Sequence, residues 1–316
     1  MDTAWNADAP ARLATSDDLA AVQQLWAQAF PEEEGSHLPV ALAEGRCLLV
    51  VEQGAAHSAV AAVLASSASQ LPGERRLVVA VARSDQQLEH WATAERAARR
   101  WMLEEGVRRW HVVVREDDAV PVTALGAAGY EVTARSWGAS LRVAAVDAPV
   151  WRRFVQAAER AAFTMRRLTE ADAPALHGLV WACREDFPVT PATPAPEPAL
   201  PEIAAGLRSG SVVAHGAFTS SGELVAATSV ELSDEPPGTV ADVEQTVVAR
   251  SARRRGLATA VKALSVLELG VDAGPQGVVE FRTGGAQVNE ASLRANRAVG
   301  YVLEPLWLTW TSGPTG

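Results

Sequence analysis

The sequence predicts an α/β fold with a mixed sheet, an α+β arrangement present in two tandem copies. Its 316 residues exceed the usual size of one domain and suit two units of about 150 residues each. Short similarities recur in the same order in both halves, and each half alternates β-branched extended segments with amphipathic helical ones. These observations predict that each half packs helices on its own sheet.

The first two similarities lie at the start and in the later part of each half. RLATSDDLAAVQQLW at 12–26 resembles RLTEADAPALHGLVW at 167–181 at a constant offset. Each copy is predicted to be a short strand followed by an N-capped amphipathic helix. LVVAVARS at 77–84 resembles TVVARS at 246–251, a buried strand that leads into a helix.

The third similarity ends each half. DAVPVTALGAAGY at 118–130 resembles NEASLRANRAVGY at 289–301, with a Gly-Tyr pair in register. Three collinear similarities indicate two copies of one fold. In the second copy the predicted strands are 211–219, 223–232, 239–250, 278–283 and 302–311, and the predicted helices are 171–184, 256–270 and 289–298.

The predicted domain bounds are 1–146 for an N-terminal copy, 147–163 for a connecting amphipathic helix and 164–316 for a C-terminal copy. A proline-rich segment at 188–203 follows the first helix of the second copy. Repeated prolines exclude a helix there and favour an extended loop. That loop is either a lid that faces a substrate pocket or a plain surface connection.

The composition excludes several classes of function. A formal net charge of −10 argues against nonspecific binding to nucleic acid or anionic membranes. The same charge suits a cationic amine substrate, although solubility alone also explains it. Two distant cysteines and six histidines without HxH or HxxxH spacing give no metal site and no disulfide framework. Without a signal peptide or a long apolar run, a soluble cytoplasmic protein is expected, as a monomer or a homodimer.

One motif carries candidate chemistry, VVARSARRRGLATAVK at 247–262. A strand that turns into a helix presents free backbone N–H groups and the positive end of the helix dipole, which together bind anions. Gly256 and Ala258 leave room for a phosphate beside the backbone, and the arginines before them add positive charge. Neither a Walker loop nor a GxGxxG fingerprint occurs in the chain.

The string RxxGxA, from Arg253 to Ala258, resembles the [QR]xxGx[GA] signature of the GNAT superfamily of coenzyme A-dependent N-acetyltransferases. Asn289 followed by the Gly300-Tyr301 pair has the spacing of a second GNAT segment. The resemblance covers most of 165–312 and, through the repeat, extends more faintly over the first half. Tandem GNAT proteins with one degenerate copy are known, and this chain looks similar to them.

The resemblance implies that backbone amides at the start of this helix hold the pyrophosphate of acetyl-CoA or another acyl-CoA. It also implies that a backbone N–H near the end of the fourth strand polarises the thioester carbonyl. The residues to which the resemblance gives these binding roles are Val247, Val248, Arg253, Arg254, Arg255, Gly256, Leu257, Ala258, Thr259 and Asn289.

Acyl transfer to an amine also needs a base and a proton for the departing thiolate. Asp242 and Glu244 lie two residues apart on the fourth strand, and Glu244, nearer the motif, is the predicted general base. A solvated or ion-paired carboxylate is the alternative interpretation. Many GNAT members place a tyrosine seven residues after the asparagine, where this chain has Asn296. An amide donates a hydrogen bond to sulfur but releases no proton at neutral pH, so the proton source stays open.

The N-terminal copy departs from the motif. Alignment of the two VARS strings puts Glu89 opposite Gly256 and Trp91 opposite the small Ala258. A carboxylate in the phosphate site would repel the anion. This copy is therefore predicted not to bind coenzyme A, and either to have a structural role that completes the substrate cleft of the second domain or to hold a regulatory ligand.

The predicted function is N-acylation of a small-molecule amine by an acyl-CoA, by direct transfer in a ternary complex. Two alternatives stay open, an acyl-CoA-binding regulatory protein without turnover and a protein N-acetyltransferase. Neither nucleic acid nor a membrane is an expected partner.

Overall fold

The computed structural model describes residues 11–31, 35–51, 59–66, 74–190, 196–197, 199–235 and 238–312. The chain divides into two compact units. Unit 1 comprises Met1–Arg135 and Leu306–Gly316, and unit 2 comprises Ser136–Pro305. Each unit packs helices on a mixed sheet, so the predicted α/β fold class is confirmed.

Unit 1 contains a sheet with the order β1-β2-β3-β4-β5-β13. Neighbouring strands are antiparallel except β4 and β5, which are parallel. Its strands are β1 (Ala11–Leu13), β2 (Cys47–Val51), β3 (Ala59–Ala65), β4 (Glu74–Val81), β5 (Arg109–Arg115) and β13 (Trp307–Thr311), and its helices are α1 (Leu19–Ala29), α2 (Leu38–Ala43), α3 (Gln87–Glu104) and α4 (Ala119–Ala127). The strand β6 (Glu131–Arg142) begins in unit 1 and ends in unit 2.

Unit 2 contains the order β6-β11-β10-β9-β8-β7, with β12 also paired to β6. Its own strands are β7 (Thr164–Arg167), β8 (Val212–Phe218), β9 (Leu224–Glu235), β10 (Gly238–Val248), β11 (Glu280–Ala286) and β12 (Val302–Leu303), and its helices are α5 (Ala148–Arg160), α6 (Ala173–Cys183), α7 (Leu200–Ser209), α8 (Leu257–Val266) and α9 (Glu290–Ala298). A π-helical turn, Leu267–Val271, continues α8.

The two units share one layering. In unit 1, α1 and α2 contribute apolar side chains to one core and α3 and α4 to another. In unit 2, α6 and α7 build one core, while α5 and α8 build a second. Each sheet therefore buries both faces under helices, which explains its runs of valine, leucine and alanine.

The repeat at the start of each half has a structural signature. Arg12 binds both carboxylate oxygens of Asp18, and Arg166 binds both of Asp172. In each unit the same aspartate completes a capping box with the threonine three residues before it. The sequence alignment pairs Arg12 with Arg167 instead, so its register is wrong by one residue.

Burial explains why the structural register holds. Trp26 of α1 is buried, and its structural counterpart is the buried Val180 of α6. Trp181, the residue matched to Trp26 by sequence, is 49% exposed. The register is set by which positions face the core rather than by identical letters.

The predicted elements of the second copy differ from the structure at three places. The predicted last strand is interrupted near Pro305, which leaves β12 and β13 as separate strands. The predicted helix 256–270 ends as an α-helix at Val266 and continues as the π turn. The predicted exclusion of helix from 188–203 is wrong at its end, because α7 begins at Leu200 with a proline in its first turn. Residues 191–195 and 198 of that segment lie outside the described part of the chain.

The predicted connecting segment 147–163 contains α5, which Asp147 caps by accepting a hydrogen bond from the backbone N–H of Val150. Within unit 2, α5 packs against α8. Among the described residues, no helix is both long enough and apolar enough to span a lipid bilayer.

Candidate functional site

The fourth strand of unit 2, β10, is irregular where Glu244 lies. Its antiparallel register with β9 shifts between Val243 and Gln245, which leaves Glu244 in a β-bulge. Bulges re-aim a side chain and are common beside functional sites. The simple alternation that predicts a shared face for Asp242 and Glu244 is therefore interrupted at this point.

A gap opens between β10 and β11. The two strands pair in parallel only from Val240 and Glu280 to Asp242 and Arg282. Both strands continue further without pairing to each other, while β11 pairs with β6 along its other edge over its whole length. The backbone of β10 after Asp242 therefore has no register partner in β11, and its polar groups on that side are available to a ligand.

The helix that follows β10 begins at a left-handed residue. Gly256 is the N-cap of α8 with φ +76°, and Arg254 before it also has a positive φ of 61°. Any residue other than glycine is strained at this φ. No atom lies within 4 Å of the position that a Cβ of Gly256 would take. The N-cap makes no side-chain hydrogen bond to the first N–H groups of α8.

The predicted arginines have different partners. Arg253 donates to Asp186 at 2.5 Å and, through Nε, to the carbonyl oxygen of Val248 at 3.1 Å. Arg250 also binds Asp186, at 2.8 Å, and the two arginines lower the pKa of Asp186 to about 2. Arg253 thus ties the loop before α8 to Asp186, a residue that no sequence pattern singles out.

The other two arginines lie at the surface of the same loop. The guanidinium carbon of Arg255 is 4.4 Å from the ring centroid of Phe163, a cation–π contact. Arg254 is exposed beside Gly256. Leu257 is buried, whereas Ala258 and Thr259 are half-buried in the first turn of α8. The predicted binding residues of the motif therefore surround one helix terminus.

Glu244 is part of a cluster of carboxylates. It is exposed at the bulge, and Asp242 lies opposite Glu231 in the ladder with β9. Partial burial raises the pKa of Glu244, and the charges of Glu231 and Asp242 raise it further. A carboxylate with a raised pKa holds a proton more readily near neutral pH, as a general base requires.

The two predicted asparagines lie on α9. Asn289 is its N-cap, and its Oδ1 accepts a hydrogen bond from the backbone N–H of Ser292 at 3.2 Å. Asn296 is completely buried, and neither atom of its side-chain amide has a hydrogen-bond partner among the described residues. Its main-chain oxygen accepts from the N–H of Tyr301 at 3.1 Å. A buried amide with no partner costs free energy unless a ligand satisfies it.

Lys262 is not among the residues predicted from the sequence. It lies on α8 and is 3% exposed, with Nζ 5.6 Å from the ring centroid of Tyr301. Burial lowers the pKa of Lys262 to about 7. A signal for it is present in the sequence, because a lysine stands among the apolar residues of 257–266.

Strand β6 also contributes to unit 2 in a way that the sequence does not predict. Its residues from Ser136 to Arg142 pair with β11. A Cβ added to Gly285 of β11 would lie 3.1 Å from the ring of Trp137, so the glycine makes room for the indole. Trp137 belongs to the first half by sequence but to the sheet of unit 2 in the structure.

The corresponding helix of unit 1 begins differently. Its N-cap is Gln86, with φ −97°, and this residue follows the end of β4 after a shorter loop than the one between β10 and Gly256. Glu89 therefore lies inside the first turn of α3 rather than at the cap, and its alignment with Gly256 is wrong. Trp91 is buried in the core of unit 1 and fills no phosphate site.

No group of three or more histidine, cysteine, aspartate or glutamate side chains in the described ranges is arranged to hold a metal ion.

Comparison with known proteins identifies the fold. No protein-family model matches the chain, and no curated protein matches it by sequence. A GCN5-related N-acetyltransferase from Sphaerobacter thermophilus is similar in structure, with a TM-score of 0.63 at 15% identity over 95% of this chain and 94% of that one. A tandem GNAT protein from the clavulanic acid biosynthesis pathway has a TM-score of 0.62 at 18% identity over 97% and 100% of the two chains.

A third structure is the GCN5-related glucosamine N-acetyltransferase region of a fungal multi-domain GH3 β-N-acetylglucosaminidase. Its TM-score is 0.64 at 14% identity, over 95% of this chain and 38% of that one. The chain therefore has the tandem GNAT fold, and the predicted fold of two GNAT-like domains is confirmed.

Proposed function

We propose that unit 2 binds an acyl-CoA, acetyl-CoA first among them, and transfers the acyl group to a small-molecule amine. The observation that carries this proposal is the start of α8. A left-handed glycine there leaves an uncapped helix N-terminus open, at the end of a strand that has separated from its neighbour. Such a terminus binds a pyrophosphate, and the gap beside β10 offers backbone groups to the rest of an extended ligand.

The pyrophosphate would be held by the backbone N–H groups of Leu257, Ala258 and Thr259 in the first turn of α8. Arg254 supplies charge from the surface of the loop, while Arg253 fixes the loop through Asp186. The open space beside Gly256 and the partnerless amide of Asn296 both fit a ligand of this kind. A backbone N–H at Val247 or Val248 would polarise the thioester carbonyl.

Glu244 would take a proton from the acceptor ammonium, which makes the nitrogen a nucleophile. The nitrogen then attacks the thioester carbon, the C–N bond forms and the C–S bond breaks. Asn296 would donate a hydrogen bond to the sulfur as negative charge collects there.

The carboxylates around the bulge support a cationic acceptor. Glu231, Asp242 and Glu244 lie close enough for the first two to raise the pKa of the third. The net charge of −10 favours the approach of a cation over that of an anion. A small primary amine, charged at neutral pH, is the acceptor class that this arrangement supports.

Calorimetry with acetyl-CoA tests the binding site. We expect Gly256→Glu to abolish measurable binding, because it strains the left-handed cap and places a carboxylate where the anion binds. The matched control is Gln86→Glu at the N-cap of α3, which should leave affinity unchanged. Equal affinity for wild type and Gly256→Glu, with both folded by circular dichroism, would remove the helix terminus as the site.

Turnover separates the enzyme from the two alternatives. Release of free coenzyme A is measured with putrescine, glucosamine, tyramine and lysine, and with a peptide that has a free N-terminus. Turnover with a small amine supports the proposal, and turnover with the peptide alone indicates a protein acetyltransferase. Binding without turnover on any acceptor indicates a regulatory protein, an alternative favoured by an asparagine at position 296. A slower Glu244→Gln at unchanged acetyl-CoA affinity is the result expected of a general base.

A further inference from the structure

We infer that Lys262 is the proton donor to the thiolate that leaves during acyl transfer. This inference rests on the proposed function, which needs a proton at the sulfur and for which Asn296 has none to give. It starts from a buried side chain that the fold itself leaves unexplained. An ammonium group inside a protein is costly unless it is paired or has a function.

Among the described residues, no side chain pairs with the charge of Lys262. Burial is the sole cause of the shift in its pKa, so no carboxylate of that part of the chain contributes. The titratable group in contact with it is Tyr301, whose ring lies under Nζ. The pKa of Tyr301 is itself raised by burial, so its hydroxyl stays protonated and brings no negative charge.

Glu231 of β9 and Glu244 of β10 do not contribute to the pKa of Lys262, and the charged groups on three other elements around α8 are paired with one another. Glu268 of the π turn binds His215 of β8 at 2.9 Å and Arg167 of β7 at 3.3 Å. Arg152 of α5 binds Asp272 at 2.5 Å. On α9, Arg294 binds Glu290 in an exposed pair. Lys262 is thus a cation kept in the interior with no counter-ion in the described ranges.

The position of Lys262 along α8 can be compared with positions along β10. Because β10 and β11 are parallel, the helix between them runs back antiparallel to β10. Lys262 is six residues after Gly256, which is about 9 Å along a helix and about three residues along a strand. Lys262 therefore lies back along β10 from the start of α8, in the direction of the bulge at Glu244.

The direction of the Lys262 side chain is a further observation. α8 packs on both β10 and α9, and Lys262 points to Tyr301, which follows α9. The N–H of Tyr301 is bonded to the main chain of Asn296, whose amide is also buried without a partner among the described residues. An amine without a counter-ion and an amide without a hydrogen-bond partner among the described residues therefore lie where α8 meets α9, and a sulfur atom that gains negative charge can accept from both nitrogens.

The protons of the reaction balance when Lys262 is the donor. When the C–S bond breaks, its electron pair stays on sulfur, and the Lys262 ammonium gives its proton to that sulfur to form the free thiol. The acceptor ammonium loses two protons in becoming an amide. Glu244 passes the first to solvent, and the second, through solvent, restores the proton that Lys262 has lost.

The first test needs no acceptor and no turnover. Coenzyme A is bound to the full-length protein, and its thiol is titrated by the ultraviolet absorbance of the thiolate. We expect wild type to lower the pKa of the bound thiol by about 1–3 units relative to free coenzyme A, as a nearby cation does. Lys262→Met should leave that pKa unshifted. Ser265→Ala, a buried neighbour one turn further along α8, is the matched control and should behave as wild type.

Equal thiol pKa values in wild type and Lys262→Met would overturn the inference while leaving the acyl-CoA site intact. Failure of wild type to bind coenzyme A would instead overturn the proposed function.

The second test is the pH profile of kcat with acetyl-CoA and the best amine of the panel. In wild type, kcat should fall at alkaline pH as Lys262 loses its proton. Lys262→Met should lower kcat by about 100-fold or more, the usual contribution of a general acid, and remove that alkaline limb. KM for acetyl-CoA should change little, and Ser265→Ala should keep the profile.

An unchanged kcat and profile in Lys262→Met would refute the proton donor. So would an acyl group found on Lys262 by mass spectrometry after turnover, because the lysine would then be a nucleophile.

Discussion

The helices α3 and α8 follow the same strand of the same fold, yet they begin in different ways. In unit 1 the cap is Gln86 in an ordinary conformation after a short loop, and in unit 2 it is Gly256 in a left-handed conformation after a longer, arginine-rich one. The fold supplies a helix N-terminus in both units, and neither N-cap makes a side-chain hydrogen bond. The two termini differ in the length of the preceding loop and in the φ of the cap residue, and the proposed anion site of unit 2 depends on these two features.

A second difference concerns the interior. The position of Asn296 in unit 2 is held by the buried Leu125 in unit 1, as the matching hydrogen bonds of Tyr130 and Tyr301 show. Counted from the two caps, Lys262 corresponds to Ala92. Unit 2 therefore keeps two buried polar side chains where unit 1 has a buried leucine and a partly buried alanine. Polar groups retained at a cost in stability are typical of a functional site.

The largest expected effect concerns the pH dependence of stability. The pKa of Lys262 is about 7 in the folded chain and near its ordinary value of 10.5 in the unfolded one. Between these values the unfolded chain binds one more proton, so folding stability rises with pH. Relative to Lys262→Met, wild type should gain about 1.4 kcal/mol per pH unit, or about 4 kcal/mol from pH 7 to 10.

Chemical denaturation of both proteins across this range measures the gain. Ala92→Met, in the corresponding position of unit 1, is the control and should leave the pH dependence of stability unchanged. A constant difference between wild type and Lys262→Met would mean that the lysine is ionised in the folded protein throughout.

The next largest effect comes from exchanging the two cap residues. Gly256→Gln gives α8 the cap of α3 and should cost about 1–3 kcal/mol of strain at the left-handed position. The glutamine side chain would also occupy the open space beside the cap, so if acetyl-CoA binds there its affinity should fall by about 10- to 100-fold. Gln86→Gly should create no second binding event, since the loop before α3 stays short. Two acetyl-CoA molecules bound per Gln86→Gly chain, measured by calorimetry, would show that the cap residue alone decides binding.

These residues also show what the sequence predicts and what it does not. The RxxGxA string correctly predicts the strand–helix turn, and the Gly-Tyr pairs correctly mark equivalent positions of the two units, because each feature is local. Which strand lies beside which is not local. Trp137, at the end of the first half, packs on Gly285, and β13, at the end of the second half, pairs with β5 in unit 1. No periodicity within a half encodes such long-range pairing.

The candidate site also has some features that the sequence predicts and others that it does not. The left-handed Gly256 is predictable, since glycine is the residue that this φ favours. The bulge at Glu244 and the pairing of Arg253 with Asp186 depend on contacts between separate elements. The alignment of Glu89 is wrong because the loop before α3 is shorter, and matching letters in VARS do not fix the length of the loop after them.

Exchange of the two buried residues should distinguish the interiors of the two units. Asn296→Leu copies unit 1 and removes a buried amide that has no partner among the described residues, so it should stabilise the protein by about 1–3 kcal/mol. The reverse change, Leu125→Asn, should destabilise it by about 2–5 kcal/mol, because it exchanges a packed apolar side chain for a polar one. Chemical denaturation measures both. Loss of stability in Asn296→Leu would mean that the amide has a structural role, and then the comparison between the interiors fails.

The smallest effect tests the register of the repeat itself. Asp18 and Asp172 each accept a bidentate arginine and complete a capping box, so Asp18→Asn and Asp172→Asn should each cost about 1 kcal/mol at neutral pH. The arginine partner lowers the pKa of each carboxyl well below its usual value. This contribution should therefore be present at neutral pH, decline as pH falls below about 4 and be lost as pH reaches the lowered pKa of the folded chain.

Asp17→Asn is the deciding control, since Asp17 is the residue that the sequence alignment pairs with Asp172. It is exposed, and its substitution should change the free energy of unfolding by less than about 0.5 kcal/mol. If Asp17→Asn instead matched Asp172→Asn, the sequence register would be right and the equivalence of the two arginine–aspartate pairs would be an accident. If Asp18→Asn and Asp172→Asn lose the same stability and show the same acid dependence, the two arginine–aspartate pairs contribute equally to the stability of their units.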